Sequence, residues 1–180
     1  MDAFEVLGIT RRLNLSEEEL RAAFREAGKR VHPDAGGDEA AFAELQQAFA
    51  TLLSPSKRLK HWLLLQGHSG DDRGTISPEV MDLFSPIGGI VQQADSLIRK
   101  RSGARSALGL ALLENETQTC REAIEGGIGT LETAIASQVA GFPAIEAGKT
   151  PPDQAGQQAR NLAFLEKWRA SLQERFARLV

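Results

Sequence analysis

The chain contains no tyrosine, one cysteine, two methionines and three histidines in 180 residues. Each scarcity excludes something. A single thiol, Cys120, leaves no partner for an intramolecular disulfide and no multi-cysteine zinc site. A reducing, cytoplasm-like compartment is therefore expected. No apolar run approaches the roughly 20 residues that span a bilayer, so no membrane partner is expected. The start, MDAFEVLGI, is acidic and lacks the basic and apolar regions of a signal peptide. Excess positive charge is also missing: the net charge is −3, which does not suggest a nucleic-acid partner. Strand signals are sparse too. β-branched residues are scattered, and nothing alternates with period two for long.

Helical periodicity is present almost everywhere instead. Residues 2–7 read as a short helix capped by Asp2, with Phe4 and Leu7 as its apolar contacts. Ser16 and Glu19 form a capping box that starts a second helix at Glu17. Leu20, Phe24, Ala27 and Val31 make one apolar stripe along it. Pro33 disfavours helix at His32, so this element ends near Val31, with Lys29 and Arg30 suited to its C-terminal dipole. Asp38 caps a third helix, whose stripe is Phe42, Leu45, Phe49 and Leu52. Ser54-Pro55 starts a fourth, which carries Lys57, Arg58, Trp62, Leu63 and Leu65 and ends at Gly67.

Residues 68–77, HSGDDRGTIS, read as a linker between an N-terminal domain of residues 1–67 and a C-terminal domain of residues 78–180. The second domain holds a helix over about 78–100, interrupted at Pro86 or Gly88-Gly89. A long helix is expected over about 104–140, its continuity challenged by Gly126, Gly127 and Gly129. A connector, GFPAIEAGKTPPDQAG, covers 141–156. A last helix over about 157–179 carries Leu162, Leu165, Trp168, Leu172 and Phe176. Three such helices predict an antiparallel bundle.

The loop between the second and third helices, HPDAGGD, would sit at the tip of a helical hairpin. Arg21, Arg25 and Lys29 are spaced four apart and share one face beside it. DAFEVLGI, the capped basic helix ending in His32-Pro33-Asp34, and the aromatic third helix followed by SPSKR together resemble a J domain. That resemblance implies docking on a DnaK-type chaperone and stimulation of its ATPase. The contact would be carried by His32, Pro33 and Asp34 with Arg21, Arg25, Lys29 and Arg30. The chemistry is compatible: Asp34 offers a carboxylate to a cation, and Pro33 lowers the cost of ordering the loop. Ala22 and Glu26 stand where the family is often basic.

The remainder is similar to the HscB family of J-type co-chaperones of iron–sulfur cluster assembly. RLKHWLLLQG, PEVMDLF and ARNLAFLEKWRASLQERF carry this likeness. It implies an all-α, elongated or L-shaped protein with a C-terminal three-helix bundle. The bundle would hold an IscU-type scaffold protein for an HscA-type chaperone, through Val80, Met81, Phe84 and Phe164. The same residues could equally be bundle core. Ser85, Pro86, Gly88 and Gly89 occupy the stretch where the family places glutamates, so the acidic part of that contact is missing or displaced.

No enzyme is expected. His32, Asp34 and Asp38 lack further ligands for a metal, and Cys120 reads as buried. His61 and His68 read as surface or junction residues. Gly126-Gly127-Ile128-Gly129 lies in helix without the GK[ST] of a phosphate loop. No cofactor and no resident metal are expected. Two alternatives stay open: a J-domain protein with a different client, and an adaptor whose J-like hairpin is inactive.

Overall fold

A computed structural model describes residues 1–31, 38–68 and 74–180. Among these residues all regular structure is helical, as the absence of strand signals predicts. The elements are α1 Ala3–Leu7, α2 Glu17–Val31, α3 Glu39–Leu53, α4 Pro55–Leu65, α5 Pro78–Met81, α6 Phe84–Gly103, α7 Ala107–Leu112, α8 Glu114–Val139, α9 Phe142–Glu146 and α10 Pro152–Leu179.

Contacts divide the chain into two units. One holds Met1–Thr75 with Gln138–Ala163, the other Ile76–Ser137 with Phe164–Val180. This differs from the linear division read from the sequence, which placed everything after residue 77 in one bundle. The reason is α9. Phe142 and Ile145 bury completely or nearly so, and the Glu146 carboxylate accepts the backbone N–H groups of Leu13 and Asn14. Residues 138–163 are thereby fastened to the first unit.

In that unit, local signals set the ends of the helices. Asp2 caps α1 through the Phe4 N–H at 2.9 Å, and Asp38 caps α3 through the Ala40 N–H at 3.1 Å. Gly67, at φ +79, lets His68 N–H return to the Leu63 carbonyl and stop α4. Phe4, Leu7, Leu15, Leu20, Ala27, Leu45, Ala48 and Leu52 form the buried core. Phe24 packs on Phe49 with centroids 4.6 Å apart, and Gly28 lies beside Leu45. Partners 24 with 49 and 28 with 45 run in opposite directions, so α2 and α3 form an antiparallel hairpin. His61, read from the sequence as a surface or junction residue, is half-buried. Its ring stacks on Phe4 at 5.8 Å, and its Nε2 accepts the Ala3 N–H at 3.1 Å.

The second unit is built from α6, α8 and the later part of α10. The expected interruption at Pro86 falls earlier, between Met81 and Phe84. Pro86 then lies in the first turn of α6, where its missing N–H has no intrahelical partner to lose. Gly88 and Gly89 stay helical. The long helix breaks at Leu113 rather than at its glycines, and α8 runs unbroken through Gly126, Gly127 and Gly129. Gly127 has a packing role: a Cβ there would lie 3.0 Å from both Ile90 and Leu172. The three helices converge on that point. Arg175 of α10 also holds Asp95 of α6 through two bonds of 2.9 Å, and Arg121 of α8 donates to the Leu179 carbonyl.

The glycines of α8 therefore have opposite expected responses. Gly126→Ala and Gly129→Ala meet open space and should stabilise by up to about 1 kcal/mol through helix propensity. Gly127→Val should destabilise by about 1–3 kcal/mol through overpacking. Urea unfolding followed by circular dichroism checks this, and equal responses at the three positions would contradict the packing.

Candidate functional site

Two surfaces gather the residues singled out in the sequence. The first is the solvent face of α2. Its buried stripe turns Leu20 and Ala27 inward, leaving Arg21, Arg25, Lys29 and Arg30 exposed. The helix is started by the capping box: Glu19 N–H donates to Ser16 Oγ at 3.1 Å, and Ser16 N–H donates to the Glu19 carboxylate at 2.8 Å. Arg12 adds an ion pair to Glu19 at 2.5 Å. The Ser16 backbone and hydroxyl bonds, with Arg12 beside them, lower the Glu19 pKa to about 2.

The cations on this face are unequal. Arg21 is paired with Glu17 one turn back, and Lys29 with Glu26 at 2.7 Å. The Lys29 contact, helped by nearby Arg30, lowers the Glu26 pKa. Arg25 and Arg30 have no ion-pair partner among the described residues. His32, Pro33 and Asp34 lie outside the described residues; α2 leads to them at Val31 and α3 resumes after Asp38.

Arg58, from the SPSKR segment, is a residue whose role the sequence reading did not identify. It is buried, donates to the Leu15 carbonyl at 3.0 Å, and lies over the Phe142 ring at 5.8 Å from its centroid. One side chain thus ties α4 to the turn before α2 and to α9. A basic residue just after a Ser-Pro cap was visible in the sequence, but its burial was not.

The second surface belongs to the second unit. Met81 is 50% exposed and Phe84 57%. Phe84 meets the edge of Trp168 at 5.5 Å, and Phe164 meets the same ring at 5.0 Å. The three aromatic rings form an apolar patch, and exposed Met81 precedes Phe84 by three residues. Val80 is excluded from it: at 2% exposure it is bundle core and offers a partner nothing. Trp168 is the member that sequence reasoning placed only on the helix stripe. The signal was its spacing of four from Phe164, which puts both rings on one face.

Elsewhere, Cys120 is buried, and burial raises its thiol pKa. His68 is exposed. No helix among the described residues is long and apolar enough to cross a membrane.

These features define a class. Residues 2–61 match the DnaJ domain family, so the N-terminal part of the chain is a DnaJ domain. A DnaJ protein homolog of Cucumis sativus is 44% identical over 55 residues, 31% of this chain and 13% of that protein. Chaperone protein DnaJ of Carboxydothermus hydrogenoformans is 29% identical over 117 residues, 58% of this chain and 30% of that protein. The chain thus spans a small part of the length of these relatives. The particular architecture is different: over its whole length the chain has the fold of Chaperone HscB from Vibrio cholerae. The TM-score is 0.65 at 19% identity, with both chains fully covered.

The capping box gives a test with a defined sign. Glu19 has a folded-state pKa below its ordinary 4.5, so its contribution is present above 4.5 and lost as pH falls toward 2. Glu19→Gln should be less stable than wild type at pH 7, with the gap closing between about pH 4.5 and 2. Thermal melts across that range check it, and a constant gap would contradict the bond.

Proposed function

We propose that this protein is a J-domain co-chaperone that stimulates ATP hydrolysis by a DnaK-type chaperone and brings it a client. The DnaJ domain at residues 2–61, with His32-Pro33-Asp34 following directly on an exposed basic helix, is the observation that carries this reading. Asp34 supplies a carboxylate for a cationic group of the chaperone, and Arg21, Arg25, Lys29 and Arg30 steer its acidic surface. The protein contributes no chemistry of its own. It needs no cofactor and works in the cytoplasm.

The client side is read from the second surface. Phe84, Phe164 and Trp168, with exposed Met81 three residues before Phe84, form a patch of the composition that anchors protein interfaces. The HscB fold and the motifs that resemble that family favour an IscU-type scaffold as the client, and an HscA-type chaperone as the recipient. One chain contacting both partners raises the client's effective concentration at the chaperone. The patch is apolar, and Ser85, Pro86, Gly88 and Gly89 follow it in the stretch where the family places glutamates, which fits a client contact dominated by aromatic and aliphatic groups.

Single-turnover ATP hydrolysis by a DnaK-type chaperone, with and without an IscU-type scaffold, tests both halves. Asp34→Asn should lower stimulation about tenfold or more, since a charge-assisted contact is worth roughly 1.5–3 kcal/mol. Phe84→Ala should weaken scaffold binding by about 30-fold, the scale of an interface anchor, without altering scaffold-free stimulation. Val80→Ala should instead lower the melting temperature. Stimulation without synergy from the scaffold would assign another client. Absence of stimulation would favour an adaptor with an inactive J-like domain.

A further inference from the structure

α7 is a helix without a buried residue. Its sequence, ALGLAL, contains no polar side chain, and Leu108, Leu110 and Leu112 are 71%, 39% and 75% exposed. A helix that is apolar on every side normally lies inside a protein core or in lipid. Here it lies in neither. It is held at the end of the α6–α8 hairpin, whose neck is closed by Lys100 to Glu116 at 2.9 Å and Arg101 to Thr117 at 2.9 Å. Ser106 caps its start through the Gly109 N–H at 3.0 Å, and half-buried Leu113 roots its end.

Charge identifies what covers it. Four of the seven residues 99–105 are basic: Arg99, Lys100, Arg101 and Arg105. Lys100 and Arg101 are engaged with α8, whereas Arg99 and Arg105 are exposed with no partner among the described residues. We infer that α7 is a surface anchor that dips into an anionic lipid bilayer, with Arg99 and Arg105 on the headgroups.

Shape and area favour lipid over protein. A groove on a partner takes one face of a helix and leaves the other to water, but α7 has no face suited to water. Three leucines fall well short of the roughly 800 Å² per partner of a stable protein interface, so a second copy is a poor occupant. Lipid needs less. Six residues span about 9 Å, comparable to the about 5–10 Å depth at which interfacial helices sit. Such an anchor is weak and reversible. It is compatible with the absence of a membrane-crossing helix among the described residues, and it does not depend on the chaperone reading.

Flotation of the full chain with phosphatidylglycerol–phosphatidylcholine vesicles, against phosphatidylcholine alone, tests the anchor. Wild type should float with the anionic vesicles and not with the neutral ones, and high salt should release it. Leu108→Ser/Leu112→Ser should abolish flotation. Arg99→Gln/Arg105→Gln should weaken it about fivefold for each cation removed. All these side chains are exposed, so both variants should melt like wild type and stimulate the chaperone equally. The inference is overturned if wild type does not float or if the leucine variant floats equally well. It is also overturned if the leucines are needed only for self-association in sedimentation, or only for capture of a protein.

Discussion

The antiparallel seam between α2 and α3 is the constraint on which the first unit depends. Phe24 against Phe49 and Gly28 beside Leu45 fix the register of the two helices. Their inward residues, with Phe4, Leu7 and Leu15, make one core, and each fully buried leucine or phenylalanine contributes about 1.5–3 kcal/mol. A one-residue change in register would turn Arg21, Arg25 and Lys29 partly toward that core, where their charges could not be solvated. The same burial that stabilises the hairpin therefore aims the basic face outward. α2 itself runs to Val31, next to the tripeptide in the sequence.

The second unit is held by a different device. Its three long helices meet at Gly127, where the absence of a side chain admits Ile87, Ile90 and Leu172 together. The Arg175–Asp95 pair and the Arg121 bond to the Leu179 carbonyl then hold α10 against α6 and α8. With that arrangement, Val80 turns inward and Phe84 stays out. The aromatic patch is thus a by-product of core packing: of the apolar residues of PEVMDLF, Val80 is used by the fold, Leu83 is half-buried, and Met81 and Phe84 are left exposed.

Much of this was legible in the sequence, and the reasons are local. Asp2, Ser16, Asp38 and Ser54 act on backbone groups two or three residues away, so their helix starts could be read directly. The stripes of α2 and α3 could be read because 3.6-residue periodicity needs no knowledge of the partner. What could not be read depends on distant contacts. α9 lies in a proline- and glycine-rich stretch and is held by Leu13, Asn14 and Arg58, more than 80 residues away in the chain. Pro86 looked like a breaker because the start of α6 depends on the turn before Phe84. Val80 and Met81 are both apolar and adjacent, and only packing separates core from patch. His61 gave no signal of its stacking on Phe4, since that contact joins the two ends of the DnaJ domain.

The basic face is where sequence and geometry combine most usefully. Counting charges alone, Glu17 and Glu26 weaken it, and they do pair with Arg21 and Lys29. Both pairs are exposed, however, and such pairs are worth about 0–1 kcal/mol against a water-solvated alternative. A partner carboxylate in a less hydrated interface competes with them on favourable terms. Arg25 and Arg30 need no such exchange, having no ion-pair partner among the described residues. The glutamates thus act less as a loss of charge than as a filter. A weakly acidic surface meets mainly Arg25 and Arg30, while a strongly acidic one can recruit Arg21 and Lys29 as well. Under the proposed function, selectivity for a chaperone would follow from how much negative charge it can bring to the face of α2.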